Sequence, residues 1–169
     1  DISACLVGSE MCIRDRLSYH LTGLYPEWWE GLKFEKPIKA WAAGNTSNNT
    51  RDIVQAELIG EPGDPEEFGK GSIPKHLIVS TERQPGVPNA VAQVVVKHIS
   101  GKNSKMQLKS YEQGKTEWMG TAVQCCWLDE EPPQDIYSQA LRASLKTGGL
   151  VYMTFTPESG LTDVCASFM

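Results

Sequence analysis

Residues 122–131 read AVQCCWLDEE, a continuous apolar run that three acidic residues close abruptly. A short apolar run of this kind is typical of a strand that is buried on both faces, as in a parallel sheet. LVYMTFTP (150–157) is a second such run, and DIYSQALRASLKTGG (135–149), an amphipathic segment that ends at two glycines, joins the two. A strand, a helix and a strand in this order predict a parallel unit of an α/β fold.

Polar side chains follow both predicted strands. Asp129, Glu130 and Glu131 come after the first strand, and Thr154 and Thr156 lie near the end of the second. In an open parallel sheet, ligands bind beyond the carboxyl ends of the strands, so these side chains are candidates for a site. A carboxylate there can hold Mg²⁺ directly or through water, and a second carboxylate can orient a water molecule or accept its proton.

Four buried residues followed by Asp-Glu form the Walker B pattern of P-loop ATPases. On this interpretation Asp129 holds Mg²⁺ beside the phosphates of ATP, and Glu130 is the catalytic base. Glu131 is expected to be a bystander or an acid at the N-terminus of the next helix. Because the pattern is short, the acids are equally compatible with a strand end that caps the following helix.

A second strand and helix are predicted upstream. PIKAWAAG (37–44) is typical of a buried strand, and NTSNNTRDIVQAELIG (45–60) of a helix with several N-cap candidates and a glycine stop. Arg51 falls in the first turn of that helix, where a cation opposes the helix dipole. Its placement fits a side chain that faces phosphate or a neighbouring subunit, while an ion pair with Asp52 or Glu57 is the simpler interpretation. The whole pattern predicts an α/β fold with a mainly parallel sheet flanked by helices.

The other segments complete this outline. LSYHLTGLYPEWWEG (17–31) predicts the end of a helix and an aromatic loop. Core packing of Trp28 and Trp29 is favoured there over contact with adenine or a partner surface. Residues 75–90 indicate a short helix and a turn, and residues 90–114 indicate a β-hairpin.

Composition excludes several classes of protein. The chain has 169 residues, enough for one domain, and a net charge of -5, which argues against a module that grips nucleic acid by charge alone. A motor with local DNA contacts stays compatible with this charge. No apolar run approaches the ~18 to 20 residues of a membrane helix. Five cysteines without a CxxC pair and three widely spaced histidines indicate neither a disulfide framework nor a zinc site, so a reducing cytoplasm is the simplest compartment.

The first 16 residues, DISACLVGSEMCIRDR, differ from the rest of the chain. They are not a signal peptide, because Arg14 and Arg16 follow the apolar part instead of preceding it. CLVGSEMCIRDR also resembles translated sequencing-adapter sequence. We therefore expect residues 1–16 to be non-native and residues 17–169 to be the natural part, with a short native arm as the alternative.

Four segments together resemble the ATPase domain of the large terminase subunit of tailed bacteriophages, the motor that packages DNA into proheads. They are TGLYPEWWEG (22–31), KAWAAGNTSNNTRD (39–52), SYEQGKTEWMGTAVQCCWLDEEP (110–132) and TFTPESGL (154–161). CCWLDEE matches the Walker B motif of the family, and TFTPESG matches its coupling motif, which links hydrolysis to DNA movement. No chemistry can be assigned from sequence to the segment 109–120 that enters the Walker B strand.

The resemblance implies a set of site residues and partners. Thr154 would be the γ-phosphate sensor or coupling residue, with Thr156 behind it, beside Asp129, Glu130 and Arg51. ATP and Mg²⁺ would be bound, and the partners would be double-stranded DNA, the portal protein and the small terminase subunit. The protein would act as a homo-oligomer in the cytoplasm of the infected bacterial host, without a membrane.

The chain departs from the family pattern at the phosphate-binding motif. GxxxxGK[ST], whose backbone amides and lysine cradle the phosphates, does not occur in the chain. We therefore expect a P-loop NTPase-like domain that is incomplete at its N-terminus, within a larger parent protein that also has a C-terminal nuclease domain. The chain by itself would be unable to hydrolyse ATP. The alternatives are another P-loop ATPase, such as a helicase, and a non-enzymatic α/β interaction domain whose acids are caps.

Overall fold

A computed structural model describes residues 9–155 and 162–166 of the chain. Its centre is a six-stranded mixed sheet, formed by β1 (Lys39–Gly44), β2 (Ile78–Arg83), β3 (Val91–Lys97), β4 (Asn103–Ser110), β5 (Cys125–Asp129) and β6 (Leu150–Thr154). The strand order is β2-β3-β4-β1-β5-β6. Strands β4, β1, β5 and β6 run parallel to one another, whereas β2, β3 and β4 are antiparallel neighbours. The predicted α/β fold with a mainly parallel sheet flanked by helices is confirmed.

The helices cover both faces of the sheet. Helix α1 (Ser9–Thr22) and a second helix, after β1, pack on one face, and the helix Gln134–Leu145 packs on the other. The helix after β1 is continuous but changes its winding: it is α-helical over Ser47–Asn49, π-helical over Thr50–Gln55 and α-helical again over Ala56–Ile59. Short 3₁₀ turns occur at Lys75–Leu77, Tyr111–Gln113 and Lys115–Trp118, and a short helix at Asp163–Ala166.

Strand β5 lies inside the sheet and is buried along its whole length. Its side chains alternate between the two cores, as a strand's geometry requires. Cys125 and Trp127 join the core under α1, while Cys126 and Leu128 join the core under Gln134–Leu145. The apolar run in the sequence is therefore explained by a strand that packs against a hydrophobic core on each face of the sheet.

The prediction of a short helix and a turn over residues 75–90 is wrong in part. The 3₁₀ turn is present, but Ile78–Arg83 then forms β2, which pairs with β3 at the edge of the sheet. Most of its side chains are exposed, so the strand has no apolar face to give it a period of two. Its backbone pairing with β3, which is not visible in a local pattern, makes it a strand.

The helix end predicted within residues 17–31 is confirmed: the helix ends at Thr22, and it begins at Ser9. Part of it therefore lies in residues 1–16, where the sequence shows no helical period. The guanidinium of Arg14 forms an ion pair with Glu57 on the neighbouring helix. The non-native origin of residues 1–16 stays a prediction, because helix formation depends on propensity and packing and not on where a sequence comes from.

The aromatic loop after α1 confirms one half of a prediction and corrects the other. Trp29 is buried, whereas Trp28 is 70% exposed. The Trp28 ring meets the Tyr19 ring edge to face and the Trp29 ring at a tilt. Core packing is therefore right for Trp29 and wrong for Trp28. No helix in the described ranges combines the length and the apolar character that crossing a membrane requires.

His20 on α1 is the centre of the aromatic cluster beneath this loop. It is fully buried, and its ring lies against Tyr25, Trp29, Phe34 and Tyr152. Its Nδ1 is 3.0 Å from the Tyr25 hydroxyl and its Nε2 is 2.7 Å from the Tyr152 hydroxyl. A neutral imidazole can donate one of these bonds and accept the other, so both ring nitrogens of His20 have a hydrogen-bond partner.

Candidate functional site

The carboxyl ends of the four parallel strands meet at one edge of the sheet. The register aligns Gly44 of β1 with Ser110 of β4, and Asp129 of β5 with Thr154 of β6. The residues that follow these positions are therefore brought together although they are far apart in sequence. This is the edge at which open parallel sheets bind ligands.

Asp129 is held at this edge by a chain of two hydrogen bonds. The Thr154 hydroxyl donates to Oδ1 of Asp129 over 2.8 Å, and it accepts a bond from Nε1 of Trp127 over 3.0 Å. All three residues are buried. Because Trp127 fixes the hydroxyl and the hydroxyl fixes the carboxylate, the orientation of Asp129 is set before any ligand binds.

Glu130 leaves the strand in an unusual backbone conformation. Its φ is 64°, in the left-handed region that a non-glycine residue occupies at a cost of roughly 1–2 kcal/mol. Its N–H donates to the Thr154 carbonyl over 2.7 Å, and its side chain is exposed. Asp129 is thus buried and Glu130 is accessible, so the two adjacent carboxylates have different environments. Backbone strain of this kind clusters at functional sites.

Tyr111 also reaches this pair, and sequence reasoning missed it. It lies in the 3₁₀ turn after β4, and its hydroxyl donates to the carbonyl oxygens of Asp129 at 2.8 Å and Glu130 at 3.1 Å. Burial, with smaller contributions from nearby Cys126, Asp129 and Glu130, raises the pKa of Tyr111 far above its usual range. The hydroxyl therefore stays protonated and remains a donor. Only its place in the segment that enters β5 could have drawn attention to it.

An open cleft of about 500 Å³ lies at the same edge. Its lining residues are Asn45, Tyr111, Glu112, Glu131, Pro132, Pro133 and Thr162. The Glu112 carboxylate accepts a 2.8 Å bond from the Ser47 amide at the start of the helix after β1, and this bond lowers the pKa of Glu112. Glu131 accepts a hydrogen bond from the Thr162 hydroxyl. The cleft is therefore acidic and shares Tyr111 with the carboxylate pair.

Arg51, another predicted site residue, has its hydrogen-bond partners elsewhere. The Arg51 guanidinium forms an ion pair with Asp52, with Nε 2.6 Å from Oδ1, and donates to the Pro88 carbonyl at 3.1 Å. The ion pair that the sequence analysis gave as the simpler interpretation is present, and a role of Arg51 towards phosphate stays a prediction. Thr156 lies outside the described residues.

The described residues offer Mg²⁺ one oriented carboxylate, that of Asp129. Within residues 9–155 and 162–166, no three His, Cys, Asp or Glu side chains converge as a metal site. Mg²⁺ in nucleotide sites commonly takes one or two carboxylates and completes its shell with phosphate oxygens and water. Asp129 fits that arrangement as a single, firmly oriented carboxylate.

The fold and the site define an α/β domain compatible with the P-loop NTPase class, with an oriented Asp-Glu pair at the carboxyl edge of its parallel strands. The chain is similar to the terminase large subunit of Salmonella phage P22, with 34% identity over 170 aligned residues that cover 90% of this chain. This match confirms the resemblance to phage large terminase subunits that the motifs predict. The chain spans about a third (34%) of the length of that relative. No family model and no solved structure matches the chain.

Proposed function

We propose that this chain is the part of a viral DNA-packaging motor that carries the catalytic carboxylates of its ATPase. The observation that supports this proposal best is the pair formed by Asp129 and Glu130. One carboxylate is buried and hydrogen-bonded, the other is exposed, and both lie at the carboxyl ends of the parallel strands. The similarity to a phage terminase large subunit over 90% of the chain supports the packaging role.

Each residue of the pair has a distinct role in this proposal. Asp129 would hold Mg²⁺, which when bound neutralises charge on the phosphates of ATP. Glu130 would orient the attacking water and accept its proton, which requires a side chain that reaches solvent. The Thr154 hydroxyl would position Asp129 and, as the sequence resemblance implies, link the site to the coupling segment that follows β6. Thr156 and Arg51 remain candidates for phosphate contacts.

The partners and the rest of the site follow from the same proposal. A phosphate-binding loop would be supplied by the parent protein, meaning the gene product that contains this sequence. Double-stranded DNA would be the cargo, and the portal protein, the small terminase subunit and further copies of the parent protein would be the partners. The motor would work in the cytoplasm of the infected bacterium.

The direct test is ATP hydrolysis by the purified parent protein, with and without Mg²⁺ and linear double-stranded DNA. We expect turnover that requires Mg²⁺ and that DNA stimulates. Packaging of the DNA into proheads, without strand separation, would identify the motor as a terminase, whereas unwinding of a duplex would identify a helicase. A parent protein that neither binds nor hydrolyses ATP would be a non-enzymatic interaction protein.

The 169-residue chain by itself is expected to show no ATP turnover. The reason is that its sequence contains no GxxxxGK[ST] loop to cradle the phosphates. The measurement is phosphate release by the purified chain. A Glu130→Gln variant is the control, because a contaminating ATPase would release phosphate in both preparations. Turnover that disappears in this variant would show that the chain has a phosphate site of its own.

The Asp129→Asn substitution in the parent protein is expected to raise the Mg²⁺ concentration for half-maximal ATP hydrolysis by about 10- to 100-fold. An amide retains the shape of the side chain and an acceptor for the Thr154 hydroxyl, but it lacks the charge that attracts the cation. Asp135→Asn, at an exposed position at the start of the Gln134–Leu145 helix, is the matched control. Equal shifts in the two variants would remove Asp129 from the metal site.

A further inference from the structure

We infer that Tyr111 is a positioning residue for the reaction of Glu130: its hydroxyl holds the backbone of Asp129 and Glu130 in the conformation that takes the Glu130 side chain out of the strand. This inference rests on the proposed function, because it assumes that Glu130 acts on the nucleotide. The contact itself is an observation that does not depend on the reaction.

The geometry explains how one hydroxyl can select this conformation. In an extended strand, successive carbonyl groups point in opposite directions, so one donor cannot reach two in a row. The Tyr111 hydroxyl reaches both the Asp129 and the Glu130 carbonyl oxygens, at 2.8 and 3.1 Å. The single hydroxyl proton can be shared between these two oxygens only because Glu130, with φ at 64°, is not extended. Loss of the hydroxyl would therefore remove two acceptor contacts that favour the left-handed conformation.

The tyrosine is itself held firmly. The Ser110 and Gln113 side chains form a reciprocal capping box around the turn that contains Tyr111. The Tyr111 ring is buried and lies 6.1 Å from the ring of Trp118, centroid to centroid. The Tyr111 hydroxyl therefore has little freedom to move with the Glu130 backbone. Because Tyr111 is rigid, its hydrogen bonds maintain the strained φ of Glu130.

The amide side of Glu130 is fixed by a different strand. Its N–H donates to the Thr154 carbonyl on β6, whereas Tyr111 follows β4. Glu130 is thus held from both directions across the sheet. If only the β6 contact remained, the peptide after Glu130 could rotate towards a more favourable φ, and the exposed carboxylate would move with it. Such a shift affects the chemical step more than nucleotide binding, since the pair's other carboxylate is held independently by Thr154.

A thermodynamic cycle tests the contact in the 169-residue chain without any ATPase activity. Glycine occupies the left-handed region without strain, so Glu130→Gly is expected to raise the midpoint of urea unfolding. In a Tyr111→Phe background Glu130 can relax by itself, and the gain from Glu130→Gly is expected to fall by at least about half. Ser18→Ala is the control background, because the Ser18 hydroxyl donates to the Ser72 carbonyl at 2.8 Å, away from Glu130. The same gain in all three backgrounds would overturn the inference.

The kinetic test uses the parent protein. Tyr111→Phe is expected to lower kcat for ATP hydrolysis by about tenfold or more, with KM for ATP unchanged, while Ser18→Ala changes neither. An unchanged kcat in Tyr111→Phe would overturn the positioning role even if the cycle shows coupling. Absence of hydrolysis by the unmodified parent protein would instead contradict the proposed function. The thermodynamic cycle alone would then test whether the Tyr111 hydroxyl holds the Glu130 backbone.

Discussion

Replacement of Glu130 by glutamine in the parent protein is expected to lower kcat for ATP hydrolysis by about 10²- to 10⁴-fold, the usual contribution of a positioned general base. The amide has nearly the same shape as the carboxylate but cannot accept a proton from the attacking water. The Glu130 side chain is exposed, so the substitution is expected to leave the fold intact. Binding of ATP is expected to change little, because Asp129 and Thr154 keep their hydrogen bond.

The neighbouring Glu131 provides the matched control. It follows Glu130 directly, but its carboxylate accepts a hydrogen bond from Thr162 in the cleft. Glu131→Gln is expected to change kcat by about twofold at most, as for a surface change without a role in the chemical step. The measurements are steady-state hydrolysis and equilibrium binding of ATP for both variants. Similar losses of kcat in the two variants would contradict the assignment of Glu130 as the base.

Acidification is expected to remove about 3 kcal/mol of the free energy of unfolding through His20 alone between pH 6.5 and pH 4. Burial, followed by the nearby charge of Arg16, lowers the pKa of His20 from 6.5 to about 4. The folded state therefore favours the neutral ring. Its contribution is fully present above pH 6.5 and is lost as the pH falls towards 4, because the unfolded chain takes up the proton first.

This prediction can be measured by urea unfolding of the chain at several pH values between 4 and 7.5. His20→Gln removes the titrating group, so its stability is expected to depend less steeply on pH than that of the unmodified chain. His76→Gln, at an exposed position, is the control and is expected to keep the original slope. If the buried substitution prevents folding, the NMR titration of the His20 ring in the unmodified chain gives its pKa directly. A value near 6.5 would contradict the prediction.

The strands that carry the site could be predicted because they are buried. β1, β5 and β6 lie side by side in the sheet, and their apolar runs follow from contact with a core. The antiparallel pair of β3 and β4 was visible as two β-rich runs around a glycine turn, and the helix Gln134–Leu145 as an amphipathic period. The edge strand β2 was missed, because its exposed side chains leave no hydrophobic pattern and only hydrogen bonds to β3 define it.

The site shows the same division between local and non-local information. Asp129 and Glu130 could be found because acids that end an apolar strand are a local signal, and Thr154 because it ends the next strand. The left-handed conformation of Glu130 had no signal, since glutamate is not a residue type that favours it. Tyr111 had only its place in the segment that enters β5 as a signal, because its turn follows β4 and β1 lies between β4 and β5 in the sheet.

The sequence alone thus predicted the α/β class, the buried strands and the resemblance to large terminase subunits that the comparison confirms, and it nominated Asp129 and Glu130 as a candidate carboxylate pair. The tertiary structure decided how the pair is held. Thr154 meets Asp129 through the register of two parallel strands, and Tyr111 meets Glu130 through the order of strands in the sheet. The physical reason is that periodicity and propensity act within a few residues, whereas these hydrogen bonds join groups 19 to 25 residues apart that only the assembled sheet brings together.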